Sequence, residues 1–244
     1  MELELLLILL GGVFIIAVLY SAVGHAGASG YIAVMSLLSL APAVIKPSAL
    51  ALNILVASIG TVQFMRAGYF SWRLFWPFAL LAVPLAFVGG YVALPDYGFN
   101  LLVGMVLLYS ALRLVFEPKR ETPATAPPLV AALAAGALIG LLSGLTGTGG
   151  GIFLTPLLLF MGWSTPKTAA AVSALFILLN SIAGLLGTLS NTPSMPPFLL
   201  PLLLVAGLGG LVGSHYGSRK LPSHGIKRVL AVVLFIAGTK LLLT

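Results

Sequence analysis

Apolar residues fall into ten long blocks along the chain, at about 3–23, 28–45, 47–65, 74–94, 98–116, 128–145, 149–163, 167–189, 196–215 and 225–243. Short runs of Gly, Pro or charge separate them. Blocks near or beyond about 18 residues predict membrane-spanning helices. The strands of a membrane barrel would alternate polar and apolar residues over about 10 positions, and runs such as Leu5-Leu6-Leu7 do not alternate. The pattern therefore predicts an all-α membrane protein of about ten transmembrane segments. Segments two and seven are weak. The roughly 15 residues of the seventh make about 22 Å of helix, short of a hydrocarbon core of about 30 Å. Pro156 interrupts that segment, and Pro42 and Pro47 bound its counterpart. One long polar stretch, Glu117-Pro118-Lys119-Arg120-Glu121-Thr122-Pro123, continues to Pro128 and reads as a linker.

The parts on either side of that linker repeat one another at an offset of 120 residues. Gly24, Gly27 and Gly30 fall on Gly144, Gly147 and Gly150. Ala49 and Ala51 fall on Ala169 and Ala171, Pro77-Phe78 on Pro197-Phe198, and Gly89-Gly90 on Gly209-Gly210. A seven-residue insertion then moves the offset to 127, where Leu94-Pro95 matches Leu221-Pro222, Gly98 matches Gly225, and Arg113 matches Lys240. The expected organisation is a first five-helix repeat over 1–117, a cytoplasmic linker over 118–127, and a second repeat over 128–244. Five spans is an odd number, so the second repeat is expected to be inverted.

Charge agrees with that threading. With the N-terminus outside, the inner loops carry Arg66, Arg73, Arg113, Lys119, Arg120, Lys167, Arg219, Lys220, Lys227 and Arg228, and the outer side keeps Lys46 and Lys240. This is the positive-inside asymmetry. It predicts a multi-pass protein of the plasma (inner) membrane with both termini outside. It also explains the net charge of +7 without nucleic acid. The composition, 60% hydrophobic and 7% charged, leaves too little polar surface for water; a soluble domain is about 25% charged. The start, Met1-Glu2-Leu3-Glu4, lacks the basic region of a cleaved signal, so the first span is expected to be retained. The chain has no cysteine, which excludes disulfide, thiolate and iron–sulfur chemistry. It also has no metal-ligand cluster, P-loop or triad pattern, and no acid well inside a span. No cofactor and no enzymatic activity are expected, and ATP-driven transport would need another subunit.

Two glycine-rich turns stand out, Gly24-His25-Ala26-Gly27-Ala28-Ser29-Gly30 and Thr146-Gly147-Thr148-Gly149-Gly150-Gly151. Each ends one apolar stretch and opens another. Glycine lets other groups approach the backbone closely, and N–H groups opening a helix are unpaired and lie at its positive end. That combination binds anions. Short, Gly- or Pro-interrupted segments at matching places in two inverted halves also point to a transporter's binding site. The candidate substrate-binding residues are His25, Gly27, Ser29 and Gly30 of the first turn, and Gly147, Thr148, Gly149, Gly150 and Gly151 of the second. Asn53 and Ser173, matched across the repeat, are expected to face the cavity. Asn180 and Gln63 are weaker candidates of the same kind. The competing reading of glycine is helix packing, which is preferred for Gly89-Gly90, Gly209-Gly210 and Gly136. For Thr146, Thr148 and Ser29 the competitor is a bond to the chain's own carbonyls. Lys46 and Lys167 border segments two and seven from opposite sides; attraction of anions at the two mouths competes with interfacial snorkelling, which is preferred for both.

Together these residues resemble the TauE/SafE family of sulfite exporters and anion permeases. The resemblance rests on Gly147-Thr148-Gly149-Gly150-Gly151, then Pro156, then Ala169-Ala170-Ala171 in the second half. The first half departs from it, with Ser36 where a proline is expected; Pro47, Ala49, Asn53 and Arg66-Ala67-Gly68 fall in familiar places. The likeness covers almost the whole chain. It implies membrane transport of a small anion, such as sulfite or an organosulfonate, without choosing one. The expected protein is a secondary transporter, an exporter, working by alternating access between inverted repeats, with a small anion and the lipid bilayer as partners and a homodimer allowed. An anion channel and a non-transporting membrane scaffold or assembly factor are the alternatives.

Overall fold

The computed structural model describes residues 3–22, 25–115, 125–217 and 223–243. The expectations that concern Gly24, Arg219, Lys220 and most of the linker lie outside them. The described residues form ten α-helices and no strand: α1 (Leu3–Ala22), α2 (Ala28–Leu37), α3 (Pro42–Arg66), α4 (Trp72–Tyr91), α5 (Asp96–Val115), α6 (Leu129–Thr146), α7 (Gly151–Phe160), α8 (Pro166–Asn191), α9 (Leu199–Gly217) and α10 (Ser223–Leu243). Five of them, α1, α3, α4, α6 and α8, are long and apolar enough to cross a membrane. Their outward faces stay apolar, as Leu7, Ile8, Leu80, Val130 and Leu138 illustrate.

Local signals set several ends. Ser71 accepts from the Leu74 N–H at 3.4 Å and opens α4. Thr165 accepts from the Thr168 N–H at 3.4 Å, with Pro166 in the first turn of α8. Both are side-chain caps for otherwise unpaired donors. Pro47, expected to bound segment two, instead lies inside α3. The helix already starts at Pro42, so Pro47 falls in its second turn. There the carbonyl that Pro47 leaves unbonded belongs to the exposed Ala43, close to the helix end. Segment two is correspondingly shorter than expected. α2 and α7 each have ten residues, about 15 Å of helix.

Long helices pair by small residues. Gly136, Gly140 and Gly144 run four apart along α6 and face the carbonyls of Phe78, Ala82 and Ala86 on α4. A Cβ at any of the three would collide with that backbone. Gly90 and Gly187 join α4 to α8 in the same way, through the Gly184 and Phe87 carbonyls. Gly209 and Gly213 on α9 face Phe14 and Val18 on α1. This is the small-residue packing of membrane helices, as expected for Gly89, Gly90, Gly136 and Gly209.

α3 and α8 cross at the centre, with α9 also against α3 and α4 also against α8, and α5 pairs with α10. One apolar core draws on α1, α2, α3, α5, α9 and α10, with Ile177 of α8, and a second on α4, α6, α7 and α8; Leu178 packs on both. The cores therefore cut across the two halves of the sequence.

Basic side chains close the C-terminal ends of both short helices. Lys240 of α10 donates to the Ser36 and Leu37 carbonyls at 3.0 and 2.9 Å, and to Ser39 Oγ at 2.8 Å. Ser39 there adopts a left-handed φ of +57°. Arg113 of α5 donates to the Pro156 carbonyl of α7 at 3.3 Å and lies over the Phe160 ring at 5.9 Å. Cations at these ends add to the backbone bonds already there and complement the helix dipole.

Candidate functional site

The second glycine turn is built by three left-handed residues, Gly147, Gly149 and Gly150, with φ of +80°, +73° and +82°. L-residues with a Cβ avoid this region, so the path of the turn requires glycine. Gly147 ends α6 and Gly150 caps α7. The reversal leaves the N–H groups of Gly149, Gly150, Gly151 and Ile152 with no protein acceptor among the described residues. Residues 146–151 are all buried.

Side chains from the central α3–α8 crossing close on this turn. Asn53 Nδ2 donates to the Thr148 carbonyl at 3.3 Å and to Ser181 Oγ at 3.4 Å. A Cβ on Gly149 would stand 2.5 Å from Asn53 Nδ2 and 2.8 Å from Ser181 Oγ. Thr146 Oγ1 and Thr148 Oγ1 share a hydrogen bond of 2.9 Å, and Thr146 also bonds its own helix at the Leu142 carbonyl. Asn53 Oδ1 and Ser143 Oγ are buried without a hydrogen-bond partner. Ser143 lies beside Gly150, whose Cβ would come 3.4 Å from the Ser143 Cβ. Unpartnered buried polar atoms are costly, so the site holds unused capacity for polar contact beside four unused N–H groups.

The first turn is arranged differently. Gly27 caps α2 with φ +100°. Ser29 shares a 2.7 Å hydrogen bond with Tyr20. A Cβ on Gly27 would meet the Tyr31 ring and hydroxyl at 3.0 Å, and Gly30 packs on Ile16 and Tyr20. The Tyr31 hydroxyl is buried without a partner. His25 is half-buried and donates its backbone N–H to the Tyr20 carbonyl at 2.9 Å. Ser173 meets neither turn through a hydrogen bond; it accepts from Thr155 of α7 at 2.7 Å. The structure thus brings Asn53 to Thr148 and Gly149, and leaves Gly27, Ser29, Gly30 and Ser173 with other partners. Gln63 is exposed. Asn180 is fully buried with both amide atoms unpartnered.

Two residues that the sequence did not single out belong here, and a third, Lys46, departs from the reading given to it. Ser143 and Ser181 join the second turn as described. Lys46 does not snorkel. It is buried, and its ammonium donates to the Gly89, Gly90 and Val92 carbonyls at 3.1, 2.9 and 3.2 Å. Its Cα and Cγ abut the turn, 3.4 and 3.5 Å from where a Gly147 Cβ would stand. Lys167, by contrast, is exposed and donates to the Tyr69 hydroxyl at 3.1 Å.

A family model described as "Sulfite exporter TauE/SafE" matches residues 8–241. The chain belongs to the TauE/SafE family. Among relatives, it is 44% identical over 235 residues to the "Probable membrane transporter protein y4hK" of Sinorhizobium fredii, covering 94% of this chain and 95% of that one. It is 30% identical over 105 residues to the "Probable membrane transporter protein YunE" of Bacillus subtilis, covering 43% of this chain and 38% of the other. No solved structure matches. Family and helices together make this TauE/SafE member a multi-pass membrane protein of a transporter family, and the relatives are transporters rather than enzymes by name.

Proposed function

We propose that the protein is a secondary transporter of a small anion, with the turn Gly147–Gly151 as its binding site and a sulfur oxyanion as the substrate class. The observation that carries this reading is the row of four unengaged N–H groups at the start of α7, with Asn53 and Ser181 closing on the turn. Backbone donors at a helix start bind an anion without a fixed positive contact. Thr148 and Asn53 supply further polar groups, and Gly27, Ser29, Gly30 and His25 are assigned to the equivalent turn of the other half. Depth supports the assignment. Asn53 is the twelfth residue of α3, roughly 17 Å along a helix of about 38 Å, so Gly149 lies level with the middle of the bundle.

The proposed architecture is two inverted five-helix repeats. Shifting each helix label by five, cyclically, exchanges the α4–α6 pair with α9–α1, and maps the α3–α8 and α5–α10 pairs onto themselves. The matched residues Arg113 and Lys240 each close the short helix of the opposite half. Both regularities support a two-fold relation, with the second half upside down and the two halves rocking to alternate access. Export needs no coupling ion. With the cell interior negative, each monovalent anion leaving gains about 2.3 kcal/mol per 100 mV.

The test is counterflow of labelled sulfite into proteoliposomes preloaded with unlabelled sulfite, thiosulfate, sulfoacetate, sulfate or chloride. Accumulation driven by sulfur oxyanions and not by chloride is expected. Flux without counterflow would favour a channel. No flux of any of these anions from folded protein would overturn the transporter reading in favour of a scaffold.

A further inference from the structure

Lys46 is the one buried charge among the residues whose side chains are described, at 8% exposure. Among the described residues no carboxylate meets it: Glu4 and Asp96 are exposed in the first turns of α1 and α5. Burying a cation without a counter-ion is costly in any protein and more so in a membrane. What compensates it is the C-terminal end of α4. An ammonium has three N–H donors, and here all three are used on the Gly89, Gly90 and Val92 carbonyls. The same end of α4 is further closed by Thr188, which donates to the Gly90 carbonyl at 3.2 Å, and by Asn191, which donates to the Tyr91 carbonyl at 3.0 Å. A helix C-terminus carries about half a unit of negative charge, so a net positive charge remains beside Gly147.

We propose that Lys46 is a specificity-determining residue of the second turn, a fixed charge that acts on a bound anion through its field and selects by anion charge. The proposal rests on reading that turn as an anion site. With its donors saturated, the ammonium does not hydrogen-bond the anion; the Lys46 Cα and Cγ lie 3.4 and 3.5 Å from where a Gly147 Cβ would stand, and the charge lies three bonds beyond Cγ. A field acts in proportion to ligand charge, so deleting it squares the affinity loss on going from a monoanion to a dianion. At about 8 Å and an effective dielectric of about 20, the loss is about 10- to 30-fold for a monoanion, hence about 100- to 1000-fold for a dianion. A residue that merely capped α4 would change both affinities by the same factor.

The experiment is equilibrium binding of labelled thiosulfate, a dianion, and labelled methanesulfonate, a monoanion, to the purified full chain. Wild type, Lys46→Gln and Lys46→Arg are compared, with thermal unfolding recorded for each. Lys46→Gln is expected to lose thiosulfate by about the square of its loss for methanesulfonate, and Lys46→Arg to restore both to within a few-fold. Equal losses, or none, in folded Lys46→Gln would overturn the proposal and leave the anion site standing. Failure of the wild type to bind either anion would overturn the anion site and the proposal with it. If Lys46→Gln does not fold, Lys46→Gln/Thr188→Lys moves the charge to the same carbonyls. That folded variant should keep the wild-type preference for thiosulfate, and its loss would count against the field.

Discussion

Gly149 shows how narrow the tolerance of the second turn is. Its φ of +73° costs an L-residue roughly 1–2 kcal/mol, and its missing Cβ is the space that Asn53 Nδ2 and Ser181 Oγ occupy. Gly149→Ala should therefore lower sulfite counterflow by about tenfold or more, with the protein still folded by circular dichroism. Removing the Ser181 hydroxyl frees one of three obstructions, Asn53 Nδ2 and Ile177 Cγ2 being the others. Ser181→Ala should accordingly return part of the flux in the Gly149→Ala background, a non-additivity of the kind that contacting residues give. Independent effects in that double-mutant cycle would show that the two side chains do not share the site. Asn53→Asp places a negative charge against the turn and should abolish sulfite binding, where Asn53→Ala only weakens it.

Helices are governed by a separate set of glycines. Gly140→Val would drive a branched side chain into the Ala82 carbonyl. Such overpacking costs about 1–3 kcal/mol and should lower the unfolding temperature by several degrees while leaving the anion preference of the remaining folded protein unchanged. A lowered temperature with altered preference would tie the α4–α6 seam to the site. The existence and order of all ten helices were legible from apolar blocks and their punctuation, and the weakness of segments two and seven correctly marked α2 and α7 as short. The partners of Asn53 were not. A one-dimensional pattern carries no information on which helices cross, and Ser181 lies 128 residues away from Asn53. Lys46 was misread for a related reason. A lysine near a predicted helix start normally reaches water, and only the three-dimensional approach of α4's carbonyl end turns it inward. Pro47 misled as well, because a proline in the second turn of a helix resembles a boundary when read along the sequence.

At the scale of the molecule, several bonds join distant helix ends that the proposed threading puts on one side of the membrane. Lys167 bonds Tyr69 and Thr125 bonds Gly162 on the inner side, while Asn191 bonds Tyr91 on the outer side. Cysteines introduced at Thr125 and Asn191 should therefore differ: Asn191→Cys labelled by an impermeant maleimide in intact cells, Thr125→Cys only after permeabilisation. Labelling of Thr125→Cys from outside would reverse the threading. The cap on α2 has a further consequence, in the time course of synthesis. Ser36 receives its cation from a residue 204 positions later, and at about 5–20 residues per second that delay is about 10–40 s. Throughout it, the carbonyl end of α2 waits in a half-made protein for the tail of the chain. A nascent chain stalled before Lys240 should be the form that quality-control proteases recognise, and Lys240→Met should shorten the lifetime of the finished protein in a pulse-chase measurement. A chain that completes its first half's cap only by finishing its second half cannot mature in two instalments.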